Sequence, residues 1–289
     1  QRGVALITAM LIVALAVILA TQIGFDGALG QQRTATLLMQ EQAFEVGLGA
    51  EAWAAYYLFE DAEQDRSGGA NARPQDHPAE DWATPMPPVP IDGGQIEGQI
   101  EDLQGRFNIN NLILDTEDNA QWRKAFERLL VLLELEPKWA AVLRDWLDPD
   151  RQVTFPDGAE DGVYTNLMPP YRPPNGPVSS TSELLALPGF GIDRYNKLKP
   201  YIAALPIAGG ATTVNLCTAP GVLLDALNPS GEQEFSRDPE SFARGREEHC
   251  FPTKDVMPPV IGDMVDERTE YFRLTSFITI GGAEFSLYS

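Results

Sequence analysis

A run of 20 uncharged residues, Val4 to Ile23 (VALITAMLIVALAVILATQI), constrains this chain more than anything that follows it. At about 1.5 Å per residue, a helix of that length crosses a bilayer. Arg2-Gly3 stands before the run. A secretory signal peptide has a shorter apolar region and carries its small-residue cleavage site after it. Processing at the Gly3-Val4 junction would leave the run on the mature protein. No proline occurs from Ile23 to Phe59, and Leu37, Leu38, Phe44, Leu48, Ala52, Ala55 and Leu58 recur close to helical spacing. The spacing predicts one helix to residue 59, about 80 Å long. Gly24, Gly27, Gly30, Gly47 and Gly49 are its weak points. On this segment alone, an ordinary single-pass anchor with a juxtamembrane helix fits equally well.

The net charge of −21 argues against nucleic acid and against anionic lipid as the main ligand. Arg2 ahead of the apolar run favours a cytoplasmic N-terminus, with everything after Ile23 outside the cytoplasm. There are two cysteines, Cys217 and Cys250. In an oxidising compartment they would pair and close a loop of 34 residues. Such a bridge contributes about 4 kcal/mol in the chain-entropy description. Two separate buried thiols are the alternative.

Beyond the helix, residues 63–94 are rich in Gly, Pro, Asp and Ala and end in TPMPPVPIDGG, which reads as loop. Gln95 to Ile109 alternates and predicts a strand pair turned near Leu103-Gln104-Gly105. Residues 115–205 read as an α-helical insertion. Its expected helices are Trp122 to Leu135, Lys138 to Leu147 opened by Pro137, Ser182 to Leu187, and Ile192 to Ala204. Strand character returns at Thr212 to Leu216, followed by helices over Pro220 to Leu227 and Pro239 to His249. Two alternating runs, Tyr271 to Ile280 and Ala283 to Tyr288, flank the hairpin signal Gly281-Gly282. The last run stops abruptly at Ser289, which leaves open a continuation of the native chain.

The chemistry-bearing stretch is an acidic loop. Asp148, Asp150, Asp157, Glu160 and Asp161 place five carboxylates in 14 residues, offset by Arg151. Clustered hard oxygens suit Ca²⁺, which takes six to eight such ligands. The spacing is not that of an EF-hand, and a solvated acidic loop is the bland alternative. Catalysis finds little support. The histidines are His77 and His249, and no nucleophile–base arrangement, Walker loop, dinucleotide fingerprint or zinc spacing can be assembled. Pro188-Gly189-Phe190-Gly191 could be a helix-hairpin-helix turn of a membrane-anchored, DNA-binding competence protein. Its nearby cations are few, namely Arg194, Lys197 and Lys199, so a plain helix–helix turn fits better.

The order of motifs resembles one family along nearly the whole chain. The motifs are GVALITAMLIVALA, GRFNINNL, WLDPD with GAEDGVY, PPNGPVSSTSELLALPGFG, KLKPYIAALP, VNLCTAPGVLLDAL and EYFRLTSFITIGGAEFSLYS. They are similar to the K-type minor pseudopilins of the type II secretion system, or general secretion pathway protein K. The resemblance implies an α+β fold: a pilin-like long N-terminal transmembrane helix packed on an antiparallel sheet, with a large inserted α-helical, SAM-like domain. The implied divisions are a leader remnant (1–3), the transmembrane (4–23) and periplasmic (24–60) parts of the helix, a linker (61–94), the first part of the sheet (95–114), the insertion (115–205) and the second part of the αβ domain (206–289).

The same resemblance implies prepilin-peptidase cleavage after Gly3 and a methylated Val4. It puts Thr8 where most pilins carry a membrane-buried Glu, a departure shared with K-type members. It implies calcium on Asp148, Asp150, Glu160 and Asp161, with Asp157 a weaker candidate, the Val153 carbonyl a contributor and Glu183 a candidate for a second ion. Implied partners are the I-type and J-type minor pseudopilins in a tip complex, with the H-type and major pseudopilins below. The chain would sit in the inner membrane with its bulk in the periplasm. It would prime the pseudopilus and limit its growth, with no nucleic acid and no catalytic role.

Overall fold

The computed structural model describes residues 2–67, 74–114, 120–207, 209–232 and 234–289. Parts of the expected leader stub (residue 1), linker (68–73) and insertion (115–119) lie outside these residues, as do the side chains of residues 2 and 3. In chain order the elements are α1 (Arg2–Ser67), β1 (Met86–Ile91), β2 (Gly94–Asp102), β3 (Phe107–Asn108), α2 (Gln121–Leu132), α3 (Trp139–Leu147), α4 (Asp161–Tyr164), α5 (Gly191–Leu198), β4 (Ile202–Ala203), β5 (Val214–Asn215), α6 (Gly221–Leu227), α7 (Pro239–Arg244), β6 (Val265–Asp266), β7 (Phe272–Ile280) and β8 (Ala283–Tyr288). They fall into two compact units. One comprises 1–55, 85–99 and 274–289, the other 56–84 and 100–273.

The first unit is built on α1, whose N-terminal part is long and apolar enough to cross a membrane and is fully exposed. The helix runs eight residues past the expected end at Phe59. Its sheet has the order β1-β2-β7-β8. Two expectations are corrected here. Met86 to Ile91, read as loop, is a strand antiparallel to β2, with Val89 opposite Ile96. Pro87, Pro88 and Pro90 lack N–H donors, which an edge strand tolerates. The chain reverses at Asp92-Gly93, where Gly93 has φ 78°. Consequently β2 does not fold back near Leu103-Gln104-Gly105; its second neighbour is β7. The β7–β8 hairpin forms as expected, with φ 57° at Gly281 and 83° at Gly282, the two positive values a primed turn requires.

The helix face that packs inward is lined by small residues. Ala43, Ala50 and Ala54 are buried, and Gly47 lies against Leu287 and Ile278. Positions 43, 47, 50 and 54 form one stripe at helical spacing. Small side chains there let α1 approach Ile96, Ile278 and Ile280 closely. The larger Leu37, Leu38, Phe44 and Leu48 remain exposed.

In the second unit, α2 buries Trp122, Ala125, Phe126, Leu129 and Leu130, spaced i, i+3, i+4, i+7 and i+8, and packs mainly on α6. Val214, Leu216, Leu223, Leu224 and Leu227 join the same core. Residues 206–273 therefore belong with the helical unit, whereas the sequence boundary at 205/206 separates them. GRFNINNL is a buried bracket. Asn110 donates to the Val178 and Leu205 carbonyls at 2.9 Å each, and Asn111 exchanges two hydrogen bonds with the Thr212 backbone. After α5 ends at Leu198 the chain tightens into a 3₁₀ turn, Lys199–Tyr201, that contains Pro200, and becomes extended at Ile202. Ile202 and Ala203 pair in parallel with Phe107 and Asn108 instead of extending the helix to Ala204. The expected 182–187 helix is a 3₁₀ turn, Thr181–Ala186, and the 239–249 helix stops at Arg244. Cys217 and Cys250 are disulfide-bonded.

Candidate metal centre

The last turn of α3 and the loop after it bring three of the predicted ligands together. Asp148, Asp150 and Glu160 each offer a carboxylate oxygen, and these atoms lie within 4.8 Å of one another. Asp148 and Glu160 are each only 6 % exposed, while Asp150 is exposed. Neither oxygen of Glu160 has a hydrogen-bond partner, and neither does Asp148 Oδ1. The other Asp148 oxygen lies 3.8 Å from Arg144 Nε. Asp150 Oδ1 accepts from the Gln152 amide at 2.7 Å.

Three carboxylates so placed repel one another. Burial, then the neighbouring Asp150 and Asp145, pushes Asp148 up to about 6. Burial, then Asp145 and Asp148, pushes Glu160 up to about 7. Buried acceptors without donors are costly, and a hard cation satisfies them and cancels the repulsion. The donor set fits such an ion: all oxygen, with no thiolate or imidazole.

The other predicted residues lie elsewhere. Asp161 is half-buried at the start of α4 and outside the three-carboxylate group. Asp157 and Val153 are exposed in the loop. Glu183 closes a capping box with Ser180 and accepts from the Ser179 amide at 3.0 Å. Two residues escaped the sequence reading. Asp145, fully buried on α3, accepts the Thr154 amide with both oxygens, at 3.0 and 3.1 Å. Asn175, in the left-handed region at φ 48°, reaches the Asp150 carbonyl at 3.4 Å through Nδ2, and its buried Oδ1 has no partner. Neither carried a visible signal, since one reads as helix interior and the other as turn. A second acidic group, Asp61, Asp76 and Glu80, also went unseen. Burial raises Asp61 to about 6 and the others to about 7. Its members are half-buried, and Glu80 already accepts from the His77 amide and Trp82 Nε1.

Thr8 is exposed on α1 and donates to the Ala5 carbonyl at 3.0 Å, so its hydroxyl is satisfied within the helix. The Gly189-Phe190-Gly191 turn has φ 81° and 76° at its glycines, and Phe190 is buried edge-on to Trp139. Two nearby cations are paired: Arg194 with Glu136 at 2.8 Å and Lys197 with Glu134 at 3.7 Å. The turn serves helix packing.

Comparison with known proteins agrees with this architecture. The family model described as "Type II secretion system (T2SS), protein K" matches residues 105–207. Type II secretion system protein K of Pseudomonas aeruginosa is 34 % identical over 97 % of this chain and 85 % of its own length. The protein of the same name from Klebsiella pneumoniae is 37 % identical over 80 % of this chain and 71 % of its own. A chain in the crystal structure of the GspK–GspI–GspJ complex from the enterotoxigenic Escherichia coli type 2 secretion system superposes with a TM-score of 0.70. It is 24 % identical, and the match covers 89 % of this chain and 92 % of that one. This chain belongs to the type II secretion system protein K family.

Proposed function

We propose that this member of the protein K family is the minor pseudopilin at the tip of the secretion pseudopilus, where it primes assembly and limits filament growth. One observation carries the reading. The pilin-like sheet is interrupted between its neighbours β2 and β7 by a helical unit with its own core. A subunit with that added bulk is hard to accommodate along a filament shaft and suits its end. Thr8 supports the same reading, because it supplies no carboxylate to neutralise a neighbouring subunit's N-terminal amine inside the membrane. Residues 4–23 anchor the chain in the inner membrane after cleavage at Gly3 and methylation of Val4, with the bulk in the periplasm. Its partners are the I-type and J-type subunits, as in the complex whose fold it shares, with the H-type and major pseudopilins below. Its role is structural rather than enzymatic.

Calcium is the proposed ion at the acidic loop, held by Asp148, Asp150 and Glu160, with Asp161 an outer contributor. When bound it supplies charge compensation and loop order. Gold-labelled antibody on assembled pseudopili tests the tip assignment: label is expected at one end, in few copies. Labelling along the shaft in numbers like the major subunit would refute it. Thr8→Glu restores the missing carboxylate and, if the helical unit enforces capping, leaves the label at the end.

A further inference from the structure

We propose that Asp145 is the positioning residue of the acidic loop: it clamps the Thr154–Gly158 turn onto α3 and so holds Glu160 opposite Asp148. The inference rests on the cation reading above. Asp145 and Asp148 stand three apart at the end of α3 and share a face of the helix. Their oxygens are used differently. Asp148 and Glu160 keep oxygens without hydrogen-bond partners, as ligands would. Asp145 spends both of its oxygens on the Thr154 amide. It is 0 % exposed.

The turn it grips is closed by the Gly158 amide donating to the Thr154 carbonyl at 2.7 Å. Glycine is required there. A Cβ on Gly158 would overlap Asp145 Oδ2 and come within 2.6 Å of Thr154 N and O. Two residues after this turn stands Glu160, in extended geometry, and α4 begins immediately afterwards. The position of Glu160 is thus set by a buried carboxylate on α3, through a five-residue turn held at the Thr154 amide. Asp145 acts through the loop, as residues that orient ligands do elsewhere; losing such a residue lowers metal affinity about 10- to 100-fold.

The test is calorimetric titration of the full chain in detergent micelles with Ca²⁺, alongside melting curves in chelator. Asp145→Ala should weaken Ca²⁺ binding by about 10- to 100-fold. Asp145→Asn keeps an acceptor for the Thr154 amide and should stay within about tenfold of wild type. Asp148→Asn, which removes a proposed ligand, should bind more weakly than Asp145→Asn. Gly158→Ala approaches from the other side: it retains every carboxylate, yet should match Asp145→Ala by prising the turn off α3. It keeps the question open to refutation if Asp145→Ala does not fold. Wild-type affinity in either Asp145→Ala or Gly158→Ala would overturn the positioning role alone. A loss in Asp145→Asn as deep as in Asp148→Asn would also overturn it, by making Asp145 a direct ligand. Absence of Ca²⁺ binding by the wild type would overturn the cation reading and this inference together.

Discussion

Without the proposed cation, the pH dependence of stability around the acidic loop should be the reverse of the usual one. Asp148 titrates at about 6 in the fold against 3.8 ordinarily, and Glu160 at about 7 against 4.5. Both carboxyls hold protons more tightly folded than unfolded. Their contribution therefore favours the fold at low pH and is lost as pH rises through the folded values. At roughly 1.4 kcal/mol per pH unit, each shift corresponds to about 3 kcal/mol. Neighbouring carboxylates feed both shifts, so the pair is expected to carry about 4 kcal/mol instead of the full sum. For a unit of roughly 200 residues, each kcal/mol moves the melting temperature by about 2–4 °C, which gives a fall near 10 °C between about pH 3.5 and about pH 7.5. The assay is scanning calorimetry of the full chain in micelles with excess chelator. Asp61, Asp76 and Glu80 have the same sign, so the control is the Asp148→Asn/Glu160→Gln double variant. The wild type minus this variant isolates the pair. Ca²⁺ at about 100 times its Kd should restore about 2.7 kcal/mol at neutral pH in the wild type and not in the variant. Identical pH slopes for the two proteins in chelator would refute the reasoning, as would a wild-type stability that rises through this window relative to the variant.

Two further outcomes probe the framework. Replacing Cys217 and Cys250 by Ser should cost about 4 kcal/mol, because the bridge spans a sequence separation of 33, and denaturant titration reads this directly. Gly94→Ala should disrupt the pairing of β2 with β7, since its Cβ would overlap the Thr279 carbonyl oxygen; loss of amide exchange protection in β7 without loss in α2 is the expected signature.

The long apolar helix, the amphipathic spacing of α2, the Gly281-Gly282 hairpin and the cluster of loop carboxylates were all legible in the sequence. Each is encoded locally, within one element or one turn, where periodicity, backbone freedom and charge density act on near neighbours. Long-range pairing was not. Nothing near Gly94 to Asp102 announces that β2 will skip roughly 170 residues to find β7, or that a proline-rich stretch will flank it as an edge strand. On α1, tertiary packing selects one face among several. Leu37, Phe44 and Leu48 are the more hydrophobic positions, but the sheet accepts the Ala43, Gly47, Ala50 and Ala54 stripe, because close approach of backbones rewards small side chains. In the loop, the sequence supplied the charges and left their grouping open. Tertiary structure drew Asp148, Asp150 and Glu160 together and left Asp161 outside the group. It gave Asp145, which reads as an ordinary buried helix position, hold of the turn that carries Glu160, because only the folded loop brings the Thr154 amide to that carboxylate.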